Sequence, residues 1–545
     1  MVPTMTMQQS KQSVASSDRK LVAILAIGVG ITHGLVLTND GIYWDDWLVY
    51  TDFIRHDWST FWTLVSERGG IPQDFAYWGS FAFFPGMVPG WKLVAFVAIC
   101  ASTVLIFKLG IKSRLLSPSQ AFWVALLAGT YPAFQTWILL GTSQYLVYFS
   151  LFLAGWLFAL NALSSPRREW LWWSLAFGTF LVAFRLNSLL VMHFGFLALL
   201  IVVMRGSWRS MRSRLVVVVS LALLPFAYWL VISFFKPYGT YAHYNTFSLT
   251  QTSLLSSARQ FLSYAVFHVN LQALAADGMQ LLPWTLLLLA AGMFVLPSLD
   301  GRSRGGLVLF GCGVAGLILG SFPYVLVGDS PSDGWRGRHA LLIGLPMAMV
   351  IVGTLTMVSA TGTVAAQLSK VVIILISVGY AISTVNIYVA WEYRAIKDQA
   401  VMAQLARDPV GRSSSVFWID DQFPASSETH YRFYEWSAMF WHVYGDESRI
   451  GFDTASYDRS SLVSFGSFYT ASYDLATFNP HGCQADLSIR PGPAAGDPVR
   501  LVAQYTFDKF FSPGQVPDLL ERSAIVSVTA VPSQDGEQTE CNSRG

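Results

Sequence analysis

Residues 21–37 read LVAILAIGVGITHGLVL, and residues 38–47 continue TNDGIYWDDW. The first stretch holds no Asp, Glu, Lys or Arg, and the second opens polar, then turns aromatic and acidic. An apolar run close to 20 residues is long enough to cross the hydrocarbon core of a bilayer as an α-helix. Lys11, Arg19 and Lys20 precede it. A signal peptide is the competing reading, but no small-residue cleavage site follows residue 37 and many apolar runs come after. A retained first helix with a cytoplasmic N-terminal segment, residues 1–20, is therefore expected.

Further apolar runs occupy 90–109, 121–140, 145–163, 171–184, 189–204, 215–235, 281–296, 306–327, 340–358 and 371–391. Together they predict an α-helical polytopic membrane protein with about eleven transmembrane helices over residues 21–391. Bulk composition agrees. Only 12% of the 545 residues are charged, about half the share of a soluble chain, and the mean hydropathy is +0.46. The bilayer is the solvent for most of this sequence. The net charge of +2 identifies no partner, and no basic aromatic surface points to nucleic acid.

The distribution of charge gives the orientation. Lys and Arg collect in alternate loops: Lys108, Lys112 and Arg114; Arg167 and Arg168; Arg205, Arg209, Arg212 and Arg214; Arg302 and Arg304; and Lys370. The positive-inside rule makes those loops cytoplasmic. The opposite set faces outward: a long aromatic loop, 38–89; a second, 236–280, with Lys236, Tyr238, His243 and Tyr244; and a short one around Asp329, Asp333, Arg336, Arg338 and His339. Residues 255–274 are amphipathic, carry His268 and Asn270, and suit a helix lying in the interface. An odd span count places residues 392–545 outside as an extracytoplasmic C-terminal domain.

That domain is polar yet rich in aromatics, so it is expected to fold as a small mixed α/β unit. Residues 415–419, 449–452 and 524–531 read as strands, 431–444 as a helix, and 533 onward as a tail. Cys100 and Cys312 lie in apolar runs and read as core thiols. Cys483 and Cys541 can pair in an oxidising compartment; the sequence leaves that open.

The sharpest chemical feature is Tyr43-Trp44-Asp45-Asp46-Trp47. Two adjacent carboxylates beside a membrane need a solvent or a purpose, and Trp44 and Trp47 suit either the interfacial belt or stacking on a sugar or polyprenyl chain. A carboxylate in hydrogen-bond reach of a hydroxyl can take its proton as the hydroxyl attacks an electrophile. A close acid pair also splits its proton affinities. Alternatively Asp45 or Asp46 holds a divalent cation through oxygen. Arg185, Arg336 and Arg338 map to the outer side against the positive-inside trend, and Arg is the residue that binds phosphate oxygens bidentately. Snorkelling to head groups, or pairing with Asp329 and Asp333, is the plainer reading for each. His339 is either a neutralising group for a phosphate or a satisfied interfacial histidine. Glu67 and Arg68 read as a pair, and Asp74 as a solvated loop acid.

An acid pair in the first outer loop, directly after the first helix, resembles the GT-C superfamily of membrane glycosyltransferases. So does the plan of many spans, a long first outer loop and a C-terminal extracytoplasmic domain. The segment Trp335-Arg336-Gly337-Arg338-His339-Ala340-Leu341-Leu342 is similar to the Arg/His element before a late helix in some bacterial members. The pair is Asp-Asp where protein mannosyltransferases and aminoarabinose transferases favour Asp-Glu, so subfamily and sugar stay open. The resemblance implies a polyprenyl-phosphate-sugar donor, a glycan or glycolipid acceptor of the cell envelope, and an inverting transfer at the outer face of a bacterial inner membrane. It implies catalytic roles for Asp45 and Asp46. Phosphate contacts would come from Arg185, Arg336, Arg338 and His339, and substrate contacts from Trp44, Trp47, His243 and Tyr244. The C-terminal domain would grip the acceptor.

Two other classes compete. An O-antigen polymerase or ligase also uses outer arginines and a histidine, but its largest loop lies between late helices. A lipid or glycan transporter would place charges mid-helix and show repeat symmetry, and no repeat is visible here. Walker, HExxH and CxxC motifs are lacking. Gly311-Cys312-Gly313-Val314-Ala315-Gly316 has GxGxxG spacing but lies inside a span, where glycines serve helix packing.

Overall fold

The computed structural model describes residues 4–81, 87–204, 211–239, 242, 254–275, 291–299, 303–424, 431–446, 448–459 and 483–532. Among them, six helices are long and apolar enough to cross a bilayer: Asp18–Leu37, Val88–Ser113, Leu140–Ser164, Arg212–Ile232, Arg304–Leu326 and Thr363–Leu405. A seventh crossing results if Gly334–Ala340 and Gly344–Ser359, bent by 63°, count as one. The protein is a polytopic helical membrane protein with a C-terminal mixed sheet domain.

The count of eleven is not reached, for local reasons. The run 121–140 is not one helix. Pro118–Thr130, opened by a capping box between Ser117 and Gln120, stops after 13 residues at an extended Tyr131. Pro132 follows, and the residue before a proline is pushed out of the helical region. Residues 131–139 continue without a regular helix yet are buried. The runs 171–184 and 189–204 form Glu169–Ala183 and Ser188–Met204, of 15 and 17 residues. At about 1.5 Å per residue each falls short of a hydrocarbon core of about 30 Å. The run 281–296 lies mostly outside the described residues. The amphipathic stretch is helical from Leu254 to Ala275, through a π-helical turn at Ser263–His268.

The C-terminal domain holds one four-stranded sheet. β1 (Val416–Asp421), β2 (Ile450–Asp453), β3 (Gln484–Pro491) and β4 (Ala524–Ala530) lie in the order β2-β1-β3-β4. The first three are mutually parallel and β4 runs antiparallel to β3. Strands β1, β2 and β4 and the helix Phe433–Tyr444 fall where the sequence predicts them. β3 was not foreseen, although Ala485, Leu487 and Ile489 alternate and point into the core. Cys483 is disulfide-bonded, whereas Cys100 and Cys312 are free.

The expected boundary at 391/392 is not a break. Thr363–Leu405 is one helix of 43 residues, roughly 65 Å long, about twice the hydrocarbon thickness. Its second half is the spine of the sheet domain. Tyr393 Oη donates to Ala495 O at 2.7 Å, and Gln404 bridges Ala524 O and the Val526 N–H. Here the spine carries charge that is wholly buried. Arg394 binds Glu435 at 2.7 Å, and Lys397 binds Asp421 at 2.7 Å and Asp398 at 3.3 Å. Tyr431 donates to Asp398 at 2.6 Å, and its ring lies under both the Arg394 and Lys397 cations at 4.0 and 3.8 Å. Ions out of water persist only when opposite charges and hydrogen bonds replace hydration.

Breaking one such pair strands the other charge. Glu435→Gln is expected to destabilise the sheet domain by about 3–5 kcal/mol, read as an earlier thermal transition by circular dichroism in detergent micelles. The double change Arg394→Met with Glu435→Gln removes both charges and is expected to regain most of that loss. A double variant no more stable than the single one would show that the pair is not what matters.

Candidate functional site

The loop that follows the first span is built on buried polar contacts. Lys92, in the first turns of its helix, donates to Asn39 Oδ1 at 3.1 Å and Gly41 O at 3.3 Å. Asn39 in turn donates to Tyr43 Oη at 2.8 Å and to Glu392. The Tyr43 hydroxyl donates to Trp391 O at 2.7 Å. Position 41 must be glycine, since a Cβ there would sit 2.3 Å from the Tyr43 ring and 2.8 Å from the Ala395 Cβ.

These contacts turn the chain sharply into the helix Asp46–Ile54. Trp44 takes the turn with φ of 48°, a left-handed conformation costly for a bulky residue. It is held there by three partners: its N–H donates to Glu435 Oε2 at 3.0 Å, and its ring meets Trp391 and Trp335 edge-on at 4.9 and 5.5 Å.

The two carboxylates have different surroundings. Asp46 is buried and caps a neighbouring helix: the Leu140 and Gly141 amides donate to its two oxygens at 2.7 Å each. These are orphan donors at the start of Leu140–Ser164, the end of a helix that favours an anion. Burial pushes the Asp46 carboxyl up to about 7, while the two amides and the Lys92 ammonium favour its charged form. Asp45 is a third exposed, accepts the Tyr434 hydroxyl at 2.6 Å, and lies 3.9 Å from the Arg432 guanidinium. Of the pair, Asp45 is the one with an open side. Trp44 and Trp47 are each 3% exposed, so neither presents a free ring face to a sugar.

The second wall is the segment Gly334–Ala340, a 3₁₀ turn. Gln135 fixes its start. Its amide accepts the Gly334 N–H at 3.0 Å and donates to Asp333 at 2.7 Å, and Asp333 also receives Tyr264 at 2.7 Å. Trp335 then reaches Trp44, and Arg338 lies over the Trp335 ring at 4.3 Å while donating to Trp335 O. Arg336 is exposed, with no hydrogen bond or ion pair among the described residues. His339 is buried against Tyr324, ring centroids 5.0 Å apart, with Nε2 3.9 Å from Asp329.

Arg185 enters from a third direction. Its Nε binds Asp74 at 2.7 Å. Asp74 is therefore a buried ion-pair partner and not the solvated loop acid that the sequence suggests. Arg185 lies in electrostatic reach of Tyr145 and Tyr148, and Tyr324 in reach of Tyr145 and Arg338. Tyr77 shares a hydrogen bond of 2.6 Å with Ser143. Asp46, Tyr77, Arg185 and the Tyr324–His339 pair thus gather around the opening turns of one helix, Leu140–Ser164. His243 and Tyr244 lie outside the described residues.

A cavity of about 50 Å³ lies beside the Gly334–Ala340 segment, lined by Ser102, Thr103, Tyr131, Trp137 and Ala340 among others. A larger apolar cavity, about 110 Å³, sits at the other ends of the helices, near Ser113, Leu160, Val203 and Gly305, away from the acids. Among the described residues no group of three or more His, Cys, Asp or Glu could hold a metal ion. With both oxygens of Asp46 engaged by amides, the acid pair is not arranged as a cation site.

Several of these residues escaped the sequence reading: Lys92, Gln135, Glu392, Arg432, Tyr434 and Glu435. Two left a trace. Lys92 is a lone cation inside an apolar run, and Glu435 is the one acid within FYEWSAMFWHVY. In an apolar run such a charge is a candidate for a buried partner. Compared with known proteins, the chain matches no family model and no curated protein.

The division between the two acids can be measured at the amides. Asp46→Asn replaces one accepting oxygen with a donor and leaves one of the two amides unsatisfied, at about 1–3 kcal/mol. Hydrogen exchange in a peptide covering 138–143 is expected to speed up about 10- to 100-fold. Asp45→Asn is expected to leave that peptide unchanged. Equal exchange in both variants would refute the capping role.

Proposed function

We propose that this protein is a membrane glycosyltransferase that moves a sugar from a polyprenyl-phosphate donor to a glycan or glycolipid acceptor at the outer face of the membrane. The observation that carries the reading is the Trp44–Trp335 contact. It joins the acidic loop to the arginine segment across nearly 300 residues of sequence, which supports a site with the Asp45 carboxylate on one wall and guanidinium groups on the other. Cys483, disulfide-bonded, supports an oxidising compartment for the sheet domain.

The chemistry follows from that arrangement. Asp45 takes the proton of the acceptor hydroxyl as its oxygen attacks the anomeric carbon. The bond from that carbon to the phosphate oxygen breaks, and the electron pair leaves with the polyprenyl phosphate. Attack opposite the leaving group inverts the anomeric centre. Arg336 and Arg338 meet the negative charge that grows on the phosphate, where cations preset for that charge lower the barrier. Tyr434 orients Asp45, so the C-terminal domain supplies part of the site. Asp46 acts as a positioning residue: by fastening the loop to the start of Leu140–Ser164 it fixes where Asp45 stands. Arg185, engaged by Asp74, stiffens the wall between them.

The experiment is glycan mass analysis of cells carrying single variants, with membrane insertion checked in parallel. Asp45→Asn is expected to lower transfer about 10²- to 10⁴-fold and to shorten one envelope glycan or glycolipid by a sugar unit. Arg336→Gln and Arg338→Gln are expected to do the same more weakly. Arg338→Lys is not expected to restore activity, since an ammonium loses the planar stack on Trp335. Unchanged glycans in a folded, inserted Asp45→Asn protein would sink the reading.

A further inference from the structure

The helix Pro498–Phe511 is apolar on two faces. Leu501, Val502 and Tyr505 are buried in the sheet domain, which accounts for the first. The second face comes from Val499, Ala503, Phe507, Phe510 and Phe511, spaced at four, four, three and one residues and therefore within about 120° of the helix circumference. It is exposed: Phe507 and Phe510 at 57% and Phe511 at 74%. Three phenylalanines standing in water on one stripe form the kind of surface that marks an interaction site.

The place of this stripe says what covers it. Lys509 Nζ donates to Thr38 O at 2.7 Å and pairs with Asp40. Thr38 follows Leu37, the last residue of the first membrane span. Phe510 and Phe511 directly follow Lys509, and Phe507 lies a half-turn before it. The helix that carries the three rings is therefore moored by Lys509 at the residue that follows the first span. That span exposes Ile27, Ile31 and Leu37 outward, the surface its lipid must cover.

We propose that Pro498–Phe511 is an interfacial helix that rests on the bilayer, with Phe507, Phe510 and Phe511 buried at the boundary between head groups and acyl chains beside the first span. Aromatic side chains partition to this layer, and a helix lying in the interface places its apolar stripe there. The sheet domain is in this way fastened to the membrane twice, once by its continuous spine and once by this helix.

The test uses the full-length protein in lipid nanodiscs. Cys100 and Cys312 are replaced by alanine and the Cys483 disulfide is left intact. Single cysteines at 507, 510 or 511 carry a nitroxide spin label. A control label at Asp518 sits on Val516–Ser523, the helix whose Glu521 pairs with Arg407 beyond the far end of the spine. Collision rates with oxygen, which concentrates in lipid, and with a water-soluble nickel chelate are compared. The oxygen-to-nickel ratio is expected to be about tenfold higher at the three phenylalanine positions than at 518. A ratio equal to the control would show the rings in water and overturn the proposal. Exclusion of both reagents would show a protein surface covering the stripe, and would overturn it equally.

Discussion

Glu435 holds three distant segments in one place. Its carboxylate is fully buried, receives the Arg394 guanidinium from the long spine, and receives the Trp44 N–H from the loop after the first span. Burial pushes its proton affinity up, and the Arg394 charge with the Arg432 and Trp44 amides works against that rise. The left-handed backbone at Trp44 persists because this acceptor and the rings of Trp391 and Trp335 over-determine it. Lose the acceptor, and only the two ring contacts are left to hold the direction in which the acid pair leaves the turn.

From that turn, opposite surroundings divide the two neighbouring aspartates. One step of helix carries Asp46 inward to a pair of orphan amides, while Asp45 stays at the rim with a phenol and a guanidinium from the sheet domain. Adjacent acids along a helix point about 100° apart, so one can be structural and the other chemical without any gap in sequence. The same economy places Trp335 and Arg338 together: the ring that braces Trp44 is also the shelf on which the guanidinium lies flat.

Much of the membrane architecture was legible because hydropathy over a full span is a local property. The runs at 21–37, 90–109, 145–163, 215–235, 306–327 and 371–391 all lie in helices long and apolar enough to span. Among the described residues, a run falls short of a spanning helix where it hides a stop. Pro132 ends a helix after Thr130, and that signal was present in the sequence. The strand at 484–491 was missed although its alternation is present in the sequence, because it sits in a polar region. In the site, the acidic loop and the outer arginines stood out as charges at membrane edges. Their partners did not. Nothing local to Asp46 says that its oxygens meet amides 94 positions later, nor that Asp74 pairs with Arg185. Such contacts depend on the folded path of the whole chain.

The unbroken helix Thr363–Leu405 has a mechanical consequence. A flexible tether would let the sheet domain swing freely above the bilayer. A rod that crosses the membrane and then forms the core of the domain allows no such hinge. Tilting the rod in the lipid tilts the sheet with it, and bilayer thickness or lateral pressure that alters the tilt is transmitted to Tyr434 at the rim. Height above the membrane is thus set by the pitch of a single coil, which makes the domain a fixed gauge against which any bound chain is measured.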